Sequence, residues 1–145
     1  TLRCRAAVPL SLHCYNTQGL HKTFQVARQS FATMPTIADG VEFDTIAREW
    51  RCKWSPDSDK ASLVAAQKAL ESVLADVKAV DGVKGVNRVV CGGCMDFKII
   101  TSLPADKFGD WEKSTFAPES AFLDKLKSID GITDVETQTY TIMPM

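Results

Sequence analysis

No histidine occurs after His21, and that absence removes more chemistry than any other feature of the 145-residue chain. His13 and His21 both fall in the first 38 residues, so the rest of the chain has no imidazole for a Ser-His-Asp relay. Acids are missing from the opposite end. Residues 1–38 contain Arg3, Arg5, Lys22 and Arg28 without one Asp or Glu, leaving 13 basic and 18 acidic side chains among the other 107 residues. That part, at −5, lacks the clustered Lys and Arg of a nucleic-acid footprint. No apolar run approaches the ~18 residues of a membrane-spanning helix, so neither nucleic acid nor membrane is an expected partner. No glycine-rich loop is built to cradle a phosphate. Disulfides are not required, because a chain of this length can bury a self-sufficient core.

What is present divides at residue 38. The first segment is basic and rich in Ser, Thr, Gln and Ala, a composition like an organelle transit peptide. A second reading starts the protein at Met34-Pro35. The first places the protein in a mitochondrion or plastid, the second in the cytoplasm. On either, residues 1–38 are expected to be a disordered extension and residues 39–145 a single domain.

The organising stretch of that domain is Val83 to Leu103. Val86, Val89 and Val90 precede Gly92-Gly93, and Phe97, Ile99 and Ile100 follow, which predicts a β-hairpin on a two-residue glycine turn with positive φ. Upstream, Ala47 to Ser55 alternates Trp50, Cys52 and Trp54 with Glu49, Arg51 and Lys53, the period of a half-buried strand. Pro56-Asp57-Ser58-Asp59 breaks it. Leu63, Ala66, Leu70, Val73, Leu74 and Val77 then form one apolar stripe, predicting a helix of about five turns over Lys60 to Val80, stopped at Asp81-Gly82. Pro104-Ala105-Asp106 precedes a short helical turn over Lys107 to Lys113. Pro118 opens a second amphipathic helix carrying Phe122, Leu123, Leu126 and Ile129, closed by Asp130-Gly131. Val135 to Met143 reads as the last strand, with Thr137, Thr139 and Thr141 on one face and Gln138, Tyr140 and Ile142 on the other.

The order is β-α-β-β-α-β with an internal echo, since Lys78 to Val86 and Lys127 to Val135 each join helix to strand through Asp-Gly. Two such halves predict an α+β, ferredoxin-like domain: a four-stranded antiparallel sheet with two helices on one face. The other face must then meet solvent or a partner. Trp50, Trp54, Phe97, Ile100, Tyr140 and Ile142 are too many apolar groups for one face, so some should lie on the open side, as a dimer or partner surface.

Cys91-Gly-Gly-Cys94 is the sharpest short motif. Across a tight turn its thiols would be within disulfide reach, but no helix N-terminus is there to acidify them and Asp96 is close. A metal site would need further ligands, and Cys52 is the only other cysteine after residue 38. A structural glycine turn with incidental cysteines is the preferred reading over a working thiol pair, and no metal or other cofactor is expected. Asp96, Asp106, Asp110, Glu112 and Glu119 show no catalytic spacing and read as a solvated rim. Trp50, Trp54 and Trp111 read as core or interface anchors before cleft-lining groups.

Two family resemblances cover residues from about 47 to 145. Lys53-Trp-Ser-Pro-Asp-Ser-Asp59, Arg88-Val-Val-Cys-Gly-Gly93 and Pro104-Ala-Asp-Lys-Phe108 resemble the guanine-nucleotide-exchange domain of translation elongation factor 1-beta. Thr141-Ile-Met-Pro-Met145 lacks the lysine with which that family disturbs the magnesium and phosphate site of its GTPase, so the resemblance implies a GTPase-binding module without that route to exchange. Val83 to Phe97 and Gly131-Ile-Thr-Asp-Val-Glu-Thr137 are similar to the RAM domain of leucine-responsive regulators, here without a DNA-binding part. That likeness implies a homodimer with small-molecule pockets at the subunit interface, around Gly93, Asp96 and Glu136. Together the two resemblances and the strand pattern nominate Arg51, Lys53, Trp54, Gly93, Asp96, Glu136 and Tyr140 as ligand- or partner-binding residues, with Cys91 and Cys94 as a thiol pair and no catalytic residue.

Overall fold

The alternation around Trp50 becomes a nine-residue strand at the heart of a sheet. In the computed structural model residues 34–145 are described throughout, and before them only the backbone of three short antiparallel strands, β1 (Arg3–Ala7), β2 (Ser11–Tyr15) and β3 (Lys22–Thr23). What was expected of residues 1–33 otherwise lies outside the described residues. Chain contacts divide residues 1–33 from a second unit, Met34–Met145, and the latter is the subject from here on. Residues 34–38 therefore fall with the domain, where β4 (Thr36–Ala38) pairs with β5 (Val41–Glu42) in a small hairpin.

The long strands are β6 (Thr45–Lys53), β7 (Gly85–Val90), β8 (Asp96–Pro104) and β9 (Thr133–Ile142), all paired antiparallel in the order β7-β8-β6-β9. This is the ferredoxin-like order, in which the first and third long strands are central and the second and fourth form the edges. The register sets Trp50 opposite Ile99 and Thr137, and Cys52 opposite Phe97, so one face carries the aromatic and branched side chains. Four helices supply the rest of that core rather than two: α1 (Asp57–Glu71), α2 (Leu74–Lys78), α3 (Ala105–Lys113) and α4 (Glu119–Lys127). Trp50, Phe97, Ile99, Val77, Phe122 and Leu126 are essentially inaccessible. At about 1.5–3 kcal/mol for each large apolar side chain buried, this single cluster is the main stabilising term.

The predicted five-turn helix is two helices. Ser72 turns its hydroxyl back onto the Ala69 carbonyl at 2.7 Å, and the Val73 N–H reaches Leu70 O at 3.0 Å, a tighter three-residue step. The chain bends there, yet Ala66, Leu70, Val73 and Val77 all remain buried, so the apolar stripe survives the break. The echoed Asp-Gly steps are real local structure, because Gly82 and Gly131 both adopt left-handed backbone, with φ of 84° and 81°.

The glycine turn differs from its expected form. The Cys91 N–H donates to Asp96 O at 2.9 Å, so Cys91 is opposed by Asp96 and four residues, Gly92 to Met95, span the tip. The left-handed position is Met95, with φ 57°, and neither Gly92 nor Gly93 has a positive φ. A two-residue turn would have set Cys91 and Cys94 directly opposite each other. The wider loop instead lets Cys94 fold back toward Cys91 while the ladder closes beneath.

Candidate functional site

The strand alternation that sends Trp50 to the helices sends its neighbours to the helix-free face. There β6 presents Thr45, Ala47, Glu49, Arg51 and Lys53, β8 presents Asp96, Lys98 and Ile100, and β9 presents Glu136, Tyr140 and Ile142. Of the six apolar groups assigned across both faces by the sequence reading, Trp50, Trp54 and Phe97 point into the core and Ile100, Tyr140 and Ile142 lie on the helix-free side.

Opposite charges on this face pair across the strands. Arg51 bonds Glu136 through Nε at 3.0 Å and through Nη2, and Lys53 Nζ reaches Asp96 Oδ1 at 2.7 Å. Arg51, Lys53, Asp96, Lys98, Asp134 and Glu136 line a cleft of about 290 Å³. The Lys53 hydrogen bond holds the Asp96 carboxyl below the usual range against the opposing effect of burial, and the charges of Lys53, Lys98 and Arg51 add to the lowering. The Glu136 hydrogen bond similarly strengthens the hold of Arg51 on its proton.

Glu49 sits at the centre of this group and was not singled out by the sequence. Its side chain is 7% exposed. Oε2 accepts from the Tyr140 hydroxyl at 3.1 Å. Oε1 is buried with no hydrogen-bond donor among the described residues, and its nearest cations, Arg51 Nη1 and Lys98 Nζ, stand off at 3.8 and 3.9 Å. Partial burial, then the charge of Glu49 and the bond to it, push the Tyr140 phenol up to about 12. The signal that could have exposed Glu49 is its phase: it is the acid at the middle of a central strand, two residues from Arg51 and from Ala47.

The other nominated residues are placed as follows. Trp54, nominated as a binding residue, is 5% exposed and belongs to the core. Trp111 is likewise buried, its indole N–H donating to Ala117 O at 2.9 Å. Gly93 is at the exposed hairpin tip. Cys91 and Cys94 are joined there as a disulfide, with Cα atoms 5.6 Å apart. Cys52 is a buried free thiol whose pKa is pushed up to about 11, by burial first and the Asp96 charge second.

Glu119 departs from the expected solvated rim. Its carboxylate, 13% exposed, takes the Arg48 guanidinium bidentately on the helix side of the sheet and also accepts from the Trp50 indole at 2.6 Å. Arg48 also donates through Nη2 to Thr137 and through Nη1 to Thr139, and the guanidinium lies 4.2 Å from the centre of the Phe116 ring. This network anchors α4 to the sheet from a largely buried position. Asp110, by contrast, pairs only with exposed Lys113.

Among the described residues no group of three His, Cys, Asp or Glu is placed to hold a metal ion, and no helix is long and apolar enough to cross a membrane. No family model matches the chain. No curated protein matches it either. Among solved structures it is similar to the structure of Rv0793 from Mycobacterium tuberculosis, at 13% identity and a TM-score of 0.49, covering 70% of this chain and 97% of that one.

Proposed function

We propose that the protein is a recognition module that pairs with a second copy of itself through the helix-free sheet face and encloses a small polar molecule between the two sheets. The observation that carries this reading is Glu49 Oε1, a buried acceptor with no hydrogen bond from the described residues. Leaving such an oxygen without a donor costs about 1–3 kcal/mol, so whatever covers the face is expected to bring a donor to it. A second copy suits the surface. Arg51, Lys53 and Lys98 are offset by Glu49, Asp96 and Glu136, which leaves a face close to neutral that neither repels its own copy nor steers a strongly charged partner. Ile100, Tyr140 and Ile142 supply apolar area beside the charges. A dimer with pockets at the interface, around Gly93, Asp96 and Glu136, is what the resemblance to RAM domains implies, and Arg51 and Tyr140 share that face with Glu136.

The test is sedimentation equilibrium of the full chain at micromolar concentration. A dimer mass supports the reading, and a strict monomer rejects it.

A second reading is a binding module for a translation GTPase, which the Lys53 to Asp59 and Pro104 to Phe108 segments imply. One observation favours it: Ser55, Asp57, Ser58, Ser62 and Gly131 line a cavity of about 390 Å³ where the first of those segments leaves β6. Capture of the GTPase together with faster nucleotide release would support it, and failure of both would eliminate it.

A further inference from the structure

We propose that Cys91-Gly92-Gly93-Cys94 is a thiol–disulfide exchange site for small disulfides and thiols, with Cys91 as the attacking sulfur and Cys94 as the sulfur that closes the ring. The Cα separation of 5.6 Å is inside the range a disulfide accepts without backbone movement. The bridge is a poor staple. It spans a sequence separation of three, the kind of short loop whose closure constrains the unfolded chain least, and it lies at an exposed hairpin tip. It is also open to attack. Nothing approaches within 4 Å of where a Cβ would stand on Gly92 or Gly93, and Gly92, Gly93 and Cys94 are exposed.

The two sulfurs have different surroundings. The Cys94 backbone N–H points at Cys91 Sγ from 3.2 Å, a donor that stabilises a thiolate there. Cys94 Sγ lies 3.2 Å from Asp96 Oδ2, a carboxylate that disfavours a thiolate and accepts the proton of a thiol. Lys53 fixes the frame, bonding both Cys94 O at 2.8 Å and Asp96 Oδ1 at 2.7 Å, so the turn is tied to β6. In the oxidising direction the Cys91 thiolate attacks one sulfur of a low-molecular-weight disulfide, forms a mixed disulfide and releases one thiolate. Cys94 then loses its proton to solvent by way of Asp96 and attacks Cys91 Sγ, which expels the second thiolate. One small disulfide becomes two thiols, and the two protein thiols become one protein disulfide. Two small thiols reverse it.

The experiment uses the full chain in oxidised and reduced glutathione buffers, with quenching by differential alkylation and peptide mapping. Cys91 and Cys94 are expected to change label together across the buffer series while Cys52 stays unlabelled in the folded protein. A pair that stays reduced in fully oxidised glutathione, or stays bridged in excess reduced glutathione, overturns the proposal. In the reduced protein the pH profile of iodoacetamide labelling should place Cys91 below Cys94, and the reverse order overturns the assigned roles. Asp96→Asn should speed Cys94 labelling at neutral pH, about tenfold for each unit its pKa falls, and leave Cys91 little changed. An unchanged Cys94 rate in Asp96→Asn would contradict the part given to Asp96.

Discussion

Arg48 and Glu119 meet as a bidentate ion pair beneath the sheet, at 2.7 and 2.8 Å, with each side chain at least 86% removed from solvent. Because Trp50, Thr137 and Thr139 share the network, removing one charge strands the other among aromatic groups. Glu119→Ala is therefore expected to cost about 3 kcal/mol in denaturant unfolding, the low end for breaking a buried pair. The double replacement Arg48→Met with Glu119→Leu should recover much of that loss. A single-mutant cost under about 1 kcal/mol would mean the pair behaves as an exposed one.

Gly131 behaves as its Asp-Gly context suggests, and Gly93 does not. Gly131 has φ 81°, and an added Cβ would stand 3.2 Å from the Ser55 Cβ, so Gly131→Ala is expected to destabilise by about 1–2 kcal/mol. Gly93 has neither a positive φ nor a neighbour within 4 Å, so Gly93→Ala should leave the thermal midpoint almost unchanged. Equal losses at the two sites would contradict the wider hairpin tip.

Tyr140 carries a pH signature. Its phenol is raised from the ordinary 10.0 to about 12 in the folded protein, chiefly by burial and then by Glu49. The neutral phenol is the form favoured by folding, so its contribution is complete below the unfolded value near 10 and is lost as pH climbs through about 12. Phenolate absorbance, with Tyr140→Phe to identify the signal, should give a late midpoint that Glu49→Gln moves down. A Tyr140 midpoint at the ordinary value would contradict the Glu49 contact.

Much of the fold was legible because period-two and period-3.6 patterns are local. Trp50, Cys52 and Trp54 announced a buried strand face, the Asp-Gly echoes announced two matched halves, and both glycines do take left-handed backbone. Three features were not legible, each for a physical reason. The break at Ser72 depends on a hydroxyl choosing the Ala69 carbonyl over solvent, an outcome composition does not encode. The pairing of Arg48 with Glu119 spans 71 positions and follows from how α4 lies on the sheet. Glu49 looked like one acid in an alternating strand, and only the register, which brings Tyr140, Lys98 and Arg51 around it, shows that it is buried.

The helix-free face as a self-pairing surface is tested most directly by Ile100→Arg, which sets a charge beside Glu49 on that face without touching the Trp50 core. Sedimentation equilibrium should give a dimer for the native chain and a monomer for the variant, with the circular-dichroism melt retained. A native monomer, or a variant that remains dimeric, would contradict the account.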